Sequence, residues 1–539
     1  MKQITKLLSA IVFSFIVAFA LFIYEPLVMY AGNIDEFWFD SSVVFQNNIP
    51  VFLAAFTILA FISVVLFIIF CKKIRVFCVL EVIAFSGFIY LYIHGNFLTN
   101  MLPTLYGDKI DWSSYVSGHV ISIVLLLVLV ALLWVGFKKL KAIKLANYSF
   151  FVMLAFFVMM LASFGVTLAT PGLFVNKAVQ PVVTAKGIND LSKNKNFYIL
   201  LVDCTDSLDF NEYIEEKYSD DFKDFVYFSN SAPGYSLTRD SIPLIFTGEY
   251  NRNEKQFNTF STEAFDDSDF FETLKENNYE MAFYSNDIVW NSRKSLVFAN
   301  FNNDTKNWSK TAFLKQETKY ILFKYLPFPL KMFSRIETMD FNSALRYENS
   351  GELYDWTNKA YYNSALTKDA NMIDKKLFQF VHVEGAHSPY DMDEELNDIE
   401  GGTYSDKVGA AAKMADLAIK RMKKANVYDD SVIIIMSDHG WFSRDAVLYI
   451  KGFDETHTQT KETDRPVSWG DLSEVFIKLL DGKTAREAFE GIPEDNRERY
   501  YYVNPYYDKK PMVEWTVGDD DCSDSDNWTK TGVEYAYPN

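Results

Sequence analysis

Hydrophobic and polar positions divide the chain near Thr170. Before that residue, long apolar runs are separated by short polar turns, whereas after it short apolar runs alternate with charged residues and Gly or Pro turns. Five runs in the first part have the roughly 20 predominantly apolar residues that cross a hydrocarbon core. They are Leu7 to Tyr24, Val51 to Cys71, Val76 to Leu98, Val116 to Phe137 and Tyr148 to Ala169. The pattern predicts a five-helix transmembrane domain over residues 1–170.

The first apolar run has two interpretations. Lys2 and Lys6 precede it, as basic residues precede the apolar core of a signal peptide. However, four more apolar runs follow, and no convincing cleavage site separates the first from the second. We therefore expect the first run to be retained as a membrane helix.

The charges of the loops predict the orientation of these helices. The turns at 72–75 and 138–144 are basic, as is the amino terminus, whereas the segments from Asp35 to Asp40 and from Asp108 to Asp111 are acidic. Basic loops mark the cytoplasmic side of a membrane. With five spans and the amino terminus inside, the large carboxy-terminal part is expected outside.

The chain after Asn196 has the pattern of an α/β domain. Short β-rich runs alternate with amphipathic stretches such as Ser405 to Ala425. This alternation predicts a mainly parallel sheet with helices on both faces. We place a connector at 171–195, the α/β domain at 196–482 and a C-terminal extension at 483–539. Residues 302–374 are less regular, and we interpret them as an insertion whose role the sequence does not reveal.

Composition narrows the possible partners. The 539-residue chain has a formal net charge of −18, which argues against nucleic acid because phosphate binding needs a basic face. Of the four cysteines, Cys71 and Cys78 lie at the cytoplasmic ends of predicted spans. One disulfide between Cys204 and Cys522 is possible, but no disulfide framework is indicated.

Residue types that bind metals stand at the ends of the predicted strands. Asp203 ends one run, Asp438 and His439 end another, and a Ser/Gly/Pro-rich loop presents Thr238. In open α/β sheets, ligands bind outside the carboxyl ends of the strands. Three oxygens and one nitrogen suit one divalent ion, Mn²⁺, Zn²⁺ or Mg²⁺. Because metal coordination activates a threonine hydroxyl, we predict that Thr238 is the nucleophile.

Two histidines accompany a further predicted strand. His382 and His387 lie at or just beyond the end of the run FQFVHVEGAH. There they are close enough to contact a phosphoryl or sulfuryl group under attack, or to protonate its leaving oxygen. The Ser-Pro that follows His387 marks the entry to a loop, which exposes the imidazole.

Each of these residues also has a structural interpretation. Thr238 and Asp203 are both residue types that cap helix N-termini. The SDHG motif at 437–440 is compatible with an ordinary turn, and an isolated His387 is compatible with a solvated loop. The coincidence of all of them on strand ends favours a functional site.

On these residues the chain resembles the sulfatase-like branch of the alkaline phosphatase superfamily. Its layout is similar to that of lipoteichoic acid synthases and lipid phosphoethanolamine transferases, in which five membrane helices precede an extracellular catalytic domain. Thr238 precedes Gly248 by ten residues, the interval between nucleophile and Gly in sulfatases. No Cys occupies the nucleophile position, and Ile245 stands where sulfatases have Arg. Conversion to formylglycine is therefore not expected, and a true sulfatase is disfavoured.

The resemblance implies a role for each matching residue. Asp203 corresponds to the first acidic metal ligand, and Thr238 to the nucleophile. Asp438 and His439 correspond to the late metal ligands, and His387 to a histidine beside the substrate phosphate.

Four further positions bear on the resemblance. Trp290 and Arg293 resemble a Trp/Arg pair that binds phosphate in lipoteichoic acid synthases, although Arg293 is also compatible with an ordinary surface position. Trp441 replaces the usual acidic residue after SDHG, and Lys451 stands where phosphoethanolamine transferases have a histidine. Lys451 either substitutes for it electrostatically in substrate binding or is a strand-edge lysine. These differences put a second metal ion in doubt.

The resemblance implies a multi-pass enzyme of the bacterial plasma membrane with its catalytic domain on the extracellular face. Such an enzyme moves phosphoglycerol, or phosphoethanolamine, from a phospholipid donor to a cell-surface glycan or glycolipid acceptor through Thr238. Two alternatives stay open. One is a phosphodiesterase or sulfatase-like hydrolase, which uses the same residues but passes the group to water. The other is a non-catalytic membrane-anchored ectodomain.

Overall fold

The chain folds into two units whose boundaries differ from the predicted ones. In the computed structural model, the first unit comprises Met1–Ala178 and Lys306–Tyr347, and the second comprises Val179–Thr305 and Glu348–Asn539. The structure describes residues 2–34, 37, 39–102, 110–174, 182–288, 290, 294, 297–302, 306–334, 336, 340–341, 344–347, 351–505 and 510–536. The centre of the predicted insertion thus folds with the apolar helices, and the predicted C-terminal extension folds with the α/β domain.

The helices of the described residues are α1 (Lys2–Phe19), α2 (Glu25–Gly32), α3 (Ser41–Phe70), α4 (Ile74–Ile93), α5 (Val116–Lys139), α6 (Ala142–Leu168), α7 (Ser207–Tyr213), α8 (Ser219–Phe222), α9 (Thr238–Thr247), α10 (Phe257–Asp266), α11 (Asp269–Glu276), α12 (Lys310–Tyr325), α13 (Asn358–Tyr361), α14 (Tyr404–Lys424) and α15 (Leu472–Leu480).

The strands of the same residues are β1 (Val182–Val183), β2 (Asp190–Ser192), β3 (Asn196–Val202), β4 (Val226–Phe228), β5 (Ser231–Ala232), β6 (Glu280–Tyr284), β7 (Phe301–Asn302), β8 (Lys306–Trp308), β9 (Leu345–Tyr347), β10 (Asn371–Ile373), β11 (Leu377–Val383), β12 (Ser431–Met436), β13 (Leu448–Lys451), β14 (Lys461–Thr463), β15 (Val467–Ser468), β16 (Arg499–Val503), β17 (Met512–Val517) and β18 (Thr529–Tyr535).

Among the described residues, four continuous helical stretches are long and apolar enough to span a membrane, judged by length and composition alone. They are Gln3–Gly32, Ser41–Met101, Trp112–Lys139 and Ala142–Leu168. The second stretch contains two helices, α3 and α4, that separate at a tight turn over Cys71–Lys73. The rings of Phe67 and Phe77 meet edge to face across this turn, so α3 and α4 pack against each other. The helices of the first unit therefore correspond to the five predicted apolar runs.

Helix α12 attaches to the apolar helices through buried polar contacts. Lys324 on α12 forms an ion pair with Glu25 of α2, whose side chain is fully buried, and the Tyr325 hydroxyl donates to the same carboxylate. Removing one partner of a buried ion pair leaves an uncompensated charge, which is strongly destabilising. At the C-terminal end of α12, the buried Lys331 ammonium donates to the carbonyls of Phe323 and Lys324. The helix dipole favours a cation at this position.

The main sheet of the second unit has seven strands in the order β14-β4-β13-β12-β3-β11-β6. The four strands β12, β3, β11 and β6 are parallel to their neighbours within this group, whereas β13 is antiparallel to both β12 and β4. The register pairs Val202 with Val383, and Leu201 with Met436. Strands β3, β11 and β12 therefore end at the same level, and the residues that follow them meet at one edge.

Both faces of this sheet are buried, which explains its continuous apolar strands. Along β3, Phe197, Ile199 and Leu201 join one hydrophobic cluster, to which α9, α11 and α15 contribute. The intervening residues Tyr198 and Leu200 join the opposite cluster, which is covered by α7 and α14. The predicted mainly parallel sheet between helices is thus present, with antiparallel pairing confined to one side.

The C-terminal residues support the loop that precedes α9. Strands β16, β17 and β18 form a three-stranded antiparallel sheet, and Tyr502 exchanges backbone hydrogen bonds with Gly234 and Ser236 in that loop. Cys204 and Cys522 are both free and buried. The possible disulfide between them is therefore not present.

Candidate functional site

The candidate site lies at the edge where the parallel strands end. Asp203 directly follows β3, and Asp438 and His439 follow β12 after one serine. Thr238 is the first residue of α9, which begins at the same edge. Leu237 occupies the N-cap position of this helix and makes no side-chain cap. The alternative interpretation of Thr238 as the helix cap is therefore not supported, and its hydroxyl is available for another contact.

The Thr238 hydroxyl contacts a metal-type carboxylate. Its Oγ1 donates to Asp203 Oδ2 over 3.2 Å, and it also interacts with Asp438. Thr238 is only half-buried, so the hydroxyl is accessible from the open side of the site. This position next to two carboxylates is the one predicted for an activated nucleophile.

Asp438 and His439 complete the cluster. His439 Nε2 lies 3.2 Å from Asp438 Oδ2 and 3.9 Å from Asp203 Oδ1. The other oxygen of Asp438 accepts a hydrogen bond of 3.2 Å from the backbone N–H of Cys204. This bond ties the end of β12 to the end of β3, so the two carboxylates are held face to face.

Two buried carboxylate oxygens point to a cation. Asp203 Oδ1 and Asp438 Oδ2 are buried and accept no hydrogen bond from any residue that the structure describes. A buried oxygen without a donor is costly, and both of these oxygens face His439 Nε2. A divalent ion held by Asp203, Thr238, Asp438 and His439 satisfies both oxygens, so the predicted ligand set fits.

The electrostatics of the cluster agree with this assignment. Burial and the neighbouring Asp203 carboxylate raise the pKa of Asp438 to about 6. Burial also acts to raise the pKa of Asp203, but the hydrogen bond from His382 and the electrostatic attraction of His387, His382 and His439 together outweigh it, and that pKa is lowered. Burial lowers the pKa of His439, yet Asp438 and Asp203 outweigh it and raise the pKa. A bound cation relieves this repulsion between carboxylates.

His382 lies behind Asp203 rather than at the surface of the site. It is fully buried within β11, with Nε2 3.1 Å from Asp203 Oδ2 and Nδ1 3.0 Å from Ser285 Oγ. Burial acts to lower the pKa of His382, but the hydrogen bond to Asp203 and the negative charges of Asp203, Asp287 and Asp438 together outweigh it and raise the pKa. The predicted direct contact with substrate does not fit this position, and His382 instead orients the Asp203 carboxylate.

His387 lies on the loop that follows β11. Its ring is half-buried and packs against Trp356 with centroids 5.6 Å apart, and it acts electrostatically on Asp203. The Nδ1 atom lies 2.6 Å from the carbonyl oxygen of Ser388. We therefore assign the ring proton to Nδ1, which leaves Nε2 for contact with substrate.

Two of the other predicted residues lie away from the site. Trp290 is buried in the apolar core, stacks on Phe265 and donates its indole N–H to Asp266. Lys451 is buried at the far end of β13, where its ammonium donates to the carbonyls of Tyr428, Ser431 and Gly452. The prediction that they bind substrate is wrong, because the side chains of both are fully engaged elsewhere.

The position of Lys451 follows from the antiparallel pairing of β13. Lys451 pairs with Ile433, whereas Leu448 pairs with Met436 next to the site. Three residues of strand place Lys451 roughly 10 Å from the site edge. Arg293, the fourth predicted substrate-binding residue, lies outside the described residues.

Asp206 holds the SDHG loop and was not predicted. Its carboxylate accepts hydrogen bonds from the backbone N–H groups of Trp441, Phe442 and Ser443. It also accepts from the Tyr404 hydroxyl over 2.9 Å. The signal in the sequence is the second acid in Val-Asp-Cys-Thr-Asp, three residues after the metal-type carboxylate.

Asp287 and an aromatic pair face the open side of the site. Asp287 follows β6, lies 3.6 Å from His382 Nδ1 and has a side chain that is 44% exposed. Trp441 and Phe442 are 46% and 74% exposed, and Trp441 contacts the ring of His387 at 6.5 Å. Exposed aromatic rings beside a polar site mark a binding surface. Asp287 was not predicted, because candidate residues were sought at the ends of only three of the four parallel strands.

One family model matches part of the chain. Residues 207–466 match the family model described as Sulfatase. The search of curated protein sequences gave no match. The match contains Thr238, His382, His387, Asp438 and His439, so the resemblance to the sulfatase-like branch is confirmed.

Among the solved structures that are weakly similar to this chain are the following three. Ps i-CgsB in complex with k-i-k-neocarrahexaose has 15% identity and a TM-score of 0.38, covering 60% of this chain and 82% of that one. A protein in the alkaline phosphatase superfamily from Vibrio parahaemolyticus has 15% identity and a TM-score of 0.37, covering 66% and 85%. The lipoteichoic acid synthase LtaP from Listeria monocytogenes has 14% identity and a TM-score of 0.34, covering 66% and 90%. The family assignment accordingly rests on the sulfatase match.

Proposed function

We propose that this chain, which carries a sulfatase-family domain at residues 207–466, is a membrane-anchored phosphotransferase. It takes phosphoglycerol, or phosphoethanolamine, from a phospholipid and passes it to a hydroxyl of a cell-surface glycan. The observation that carries this proposal is the half-buried Thr238 hydroxyl, which lies 3.2 Å from Asp203 Oδ2 beside two buried carboxylate oxygens that lack donors.

One divalent ion belongs to this proposal. Asp203, Thr238, Asp438 and His439 would hold it, and Mn²⁺, Zn²⁺ and Mg²⁺ all accept such ligands. When bound, the ion lowers the pKa of a coordinated hydroxyl and stabilises negative charge on a phosphoryl oxygen. These four ligands do not by themselves select one of the three metals.

In the first step, Thr238 Oγ1 forms a bond to phosphorus while the bond from phosphorus to the diacylglycerol oxygen breaks. Thr238 directs its proton toward Asp203 Oδ2, which His382 keeps in the ionised state. His387, with both ring nitrogens protonated at the start of this step, gives its Nε2 proton to the departing oxygen, so diacylglycerol leaves neutral. The phosphoryl group is left as an ester of Thr238.

In the second step, the acceptor hydroxyl attacks the phosphothreonine ester. His387 takes the proton of this hydroxyl, the bond from Thr238 Oγ1 to phosphorus breaks, and the threonine recovers a proton. The N-terminus of α9, where Thr238 lies, favours the anionic group in both steps through the helix dipole.

The rim of the site supports a sugar acceptor. Trp441 and Phe442 are exposed beside His387, and aromatic faces of this kind offer an apolar platform with a polar neighbour. Asp287 adds an acceptor for hydroxyl or ammonium groups on the open side. The apolar helices of the first unit suit a donor whose head group lies at a bilayer surface.

A product analysis tests the reaction. The full-length protein in octyl glucoside, which supplies sugar hydroxyls, is incubated with Mn²⁺ and fluorescent phosphatidylglycerol or phosphatidylethanolamine. We expect fluorescent diacylglycerol together with a phosphorylated octyl glucoside, and neither product with Thr238→Ala. Diacylglycerol with only free glycerol phosphate or phosphoethanolamine would identify a hydrolase instead.

The second candidate, a sulfatase-like hydrolase, has its own measurement. It draws on the family match itself, and p-nitrophenyl sulfate is the probe. Sulfate release that depends on Thr238, with no release of diacylglycerol, would replace the proposed transferase by this activity. No product in any arm would favour the non-catalytic ectodomain.

A further inference from the structure

We propose that Cys204 is an additional ligand of the metal centre, and that its sulfur makes the site prefer Zn²⁺ over Mn²⁺ and Mg²⁺. This inference rests on the metal centre of the proposed function, and it names the resident metal and a residue that was not predicted as a ligand. Thiolate is a soft ligand, which suits Zn²⁺ and not Mg²⁺.

The first observation is the place of the sulfur. Cys204 Sγ lies 3.8 Å from His439 Nε2 and 3.9 Å from Nδ1. One ligand atom each from Asp203, Cys204 and His439 lie within 4.8 Å of one another. Sulfur and nitrogen bound to one zinc ion, with bonds of about 2.3 and 2.0 Å, stand at most about 4.3 Å apart. The three side chains are therefore arranged at the spacing of common ligands.

The second observation is independent of the cysteine. The buried oxygens Asp203 Oδ1 and Asp438 Oδ2 lack hydrogen-bond donors among the described residues, and both lie near His439 Nε2. These two oxygens favour a cation beside His439 Nε2, and Cys204 Sγ lies 3.8 Å from that same nitrogen. The sulfur consequently adjoins a site that other residues define.

The backbone fixes Cys204 in this place. Its φ angle is 53°, in the left-handed region that residues other than Gly, Asn and Asp rarely adopt. Its N–H donates to Asp438 Oδ1, and its carbonyl accepts from the Tyr404 hydroxyl. Both backbone groups thus tie it to residues at the edge of the site, and its sulfur stays inside rather than in the apolar core.

A role as an ordinary buried apolar residue explains these facts less well. Small cysteines usually pack among aliphatic side chains, and Cys522 is such a case because it belongs to a hydrophobic cluster with Val517 and Trp528. Cys204 instead lies among Asp203, Asp438 and His439. Cys522 therefore offers a matched control, being equally buried and free.

The test uses Co²⁺ as a spectroscopic substitute for Zn²⁺. The full-length protein is freed of metal and titrated with Co²⁺, and the near-ultraviolet thiolate-to-cobalt band is recorded. We expect the band in the wild type and in Cys522→Ser, and its loss in Cys204→Ser with the visible cobalt bands retained. We also expect the preference for Zn²⁺ over Mn²⁺ to fall about tenfold or more in Cys204→Ser.

Two results would overturn the inference. One is wild-type protein that binds Co²⁺ without a thiolate band, and the other is an unchanged spectrum in Cys204→Ser. Asp438→Asn separates this inference from the proposed function. If wild-type protein binds Co²⁺ without a thiolate band and Asp438→Asn does not bind it, only the role of Cys204 is refuted. If wild-type protein binds no Co²⁺, the metal centre is refuted as well. A thiolate band without transferase products refutes the function and leaves the ligand assignment standing.

Discussion

At the scale of single residues, the two buried carboxylates of the site, Asp203 and Asp438, have pKa values that are shifted in opposite directions. Asp203 receives hydrogen bonds from His382 and Thr238, and it keeps its charge. Asp438 is fully buried beside the charged Asp203, and burial together with this neighbouring carboxylate raises its pKa to about 6. The pair therefore holds a proton in mildly acidic solution that a metal ion must displace.

We expect metal affinity to depend on pH for this reason. Below pH 6 Asp438 is protonated and must lose that proton to bind metal, so affinity should rise about tenfold per pH unit up to that point. The raised pKa of His439 extends a shallower rise to higher pH. Calorimetric titration of the metal-free protein with Mn²⁺ between pH 5 and 8 measures this. The Asp438→Asn variant should bind more weakly and lack the step near pH 6, and an affinity that is flat with pH would contradict the assignment.

Gly385 permits the close approach of two strand ends. A Cβ atom there would lie 2.4 Å from the Asp203 nitrogen and 2.5 Å from its oxygen, and the φ angle is +56°. We expect Gly385→Ala to destabilise the second unit by at least about 3 kcal/mol and to abolish metal binding, because the backbone of Asp203 must move. Thermal unfolding and Co²⁺ titration are the measurements.

Gly401 is the matched control for this substitution. It also has a positive φ, of +75°, but no atom lies within 4 Å of its added Cβ. Gly401→Ala should therefore cost only about 1–2 kcal/mol, the penalty of the left-handed conformation, and leave metal binding intact. Equal effects of the two substitutions would show that the approach to Asp203 is not constrained.

The residues of the site differ in how far they could be predicted. Asp203, Thr238, Asp438 and His439 were found because each ends or follows an apolar run, and parallel strands bring such ends together. Lys451 was misplaced because the direction of β13 depends on its pairing with β12, which no local pattern reveals. Trp290 was misplaced because a tryptophan before a polar loop is equally suited to the core.

At the scale of elements, the central strands were predictable and the edges were not. Strand β3 is buried on both faces, so its composition alone identifies it. Strands β4, β13 and β14 have three or four residues and are defined by distant partners. The C-terminal sheet was likewise missed, since its contact with the loop before α9 is a long-range pairing.

The segment after α12 packs on the rest of the first unit through the side chain of Phe328. Phe328 is fully buried and packs on the rings of Trp112 and His119. A Cβ added to Gly118 would lie 2.5 Å from the Phe328 ring, so this glycine provides the space. Phe333, five residues later, is 78% exposed.

We therefore expect Phe328→Ala to loosen this segment from the first unit. Removal of a buried Phe costs roughly 3–5 kcal/mol, enough to raise the open population more than tenfold. Limited proteolysis by a lysine-specific protease should cut Lys319, Lys324 or Lys331 correspondingly faster. The Phe333→Ala variant should be cut at the wild-type rate. Equal cleavage rates in the Phe328→Ala and Phe333→Ala variants would contradict the packing role of Phe328.

At the scale of the whole molecule, the chain passes between its two units more often than the sequence suggested. It enters the second unit after Ala178, returns to the first at Lys306 and enters the second again at Glu348. The predicted arrangement, with one connector at 171–195, would allow a single cut to release the catalytic part. The observed arrangement does not, because residues 306–347 fold with the apolar helices.

A protease site inserted after Ala178 tests this topology. After complete cleavage, we expect the C-terminal fragment to remain in the membrane fraction, held by α12 and the ion pair between Lys324 and Glu25. A variant with further sites after Asn302 and Glu348 should release its C-terminal fragment. Release by the single cut would show that the segment does not hold the two parts together.

The central claim is that Thr238 carries the phosphoryl group, and peptide mass spectrometry tests it most directly. Full-length protein is incubated with Mn²⁺ or Zn²⁺ and mixed phosphatidylglycerol and phosphatidylethanolamine without acceptor, and the Thr238 peptide is examined beside that of Thr238→Ala. The account predicts a phosphoglycerol or phosphoethanolamine adduct on Thr238, which also identifies the donor. An unmodified Thr238 with diacylglycerol released, or an adduct on another residue, would contradict it.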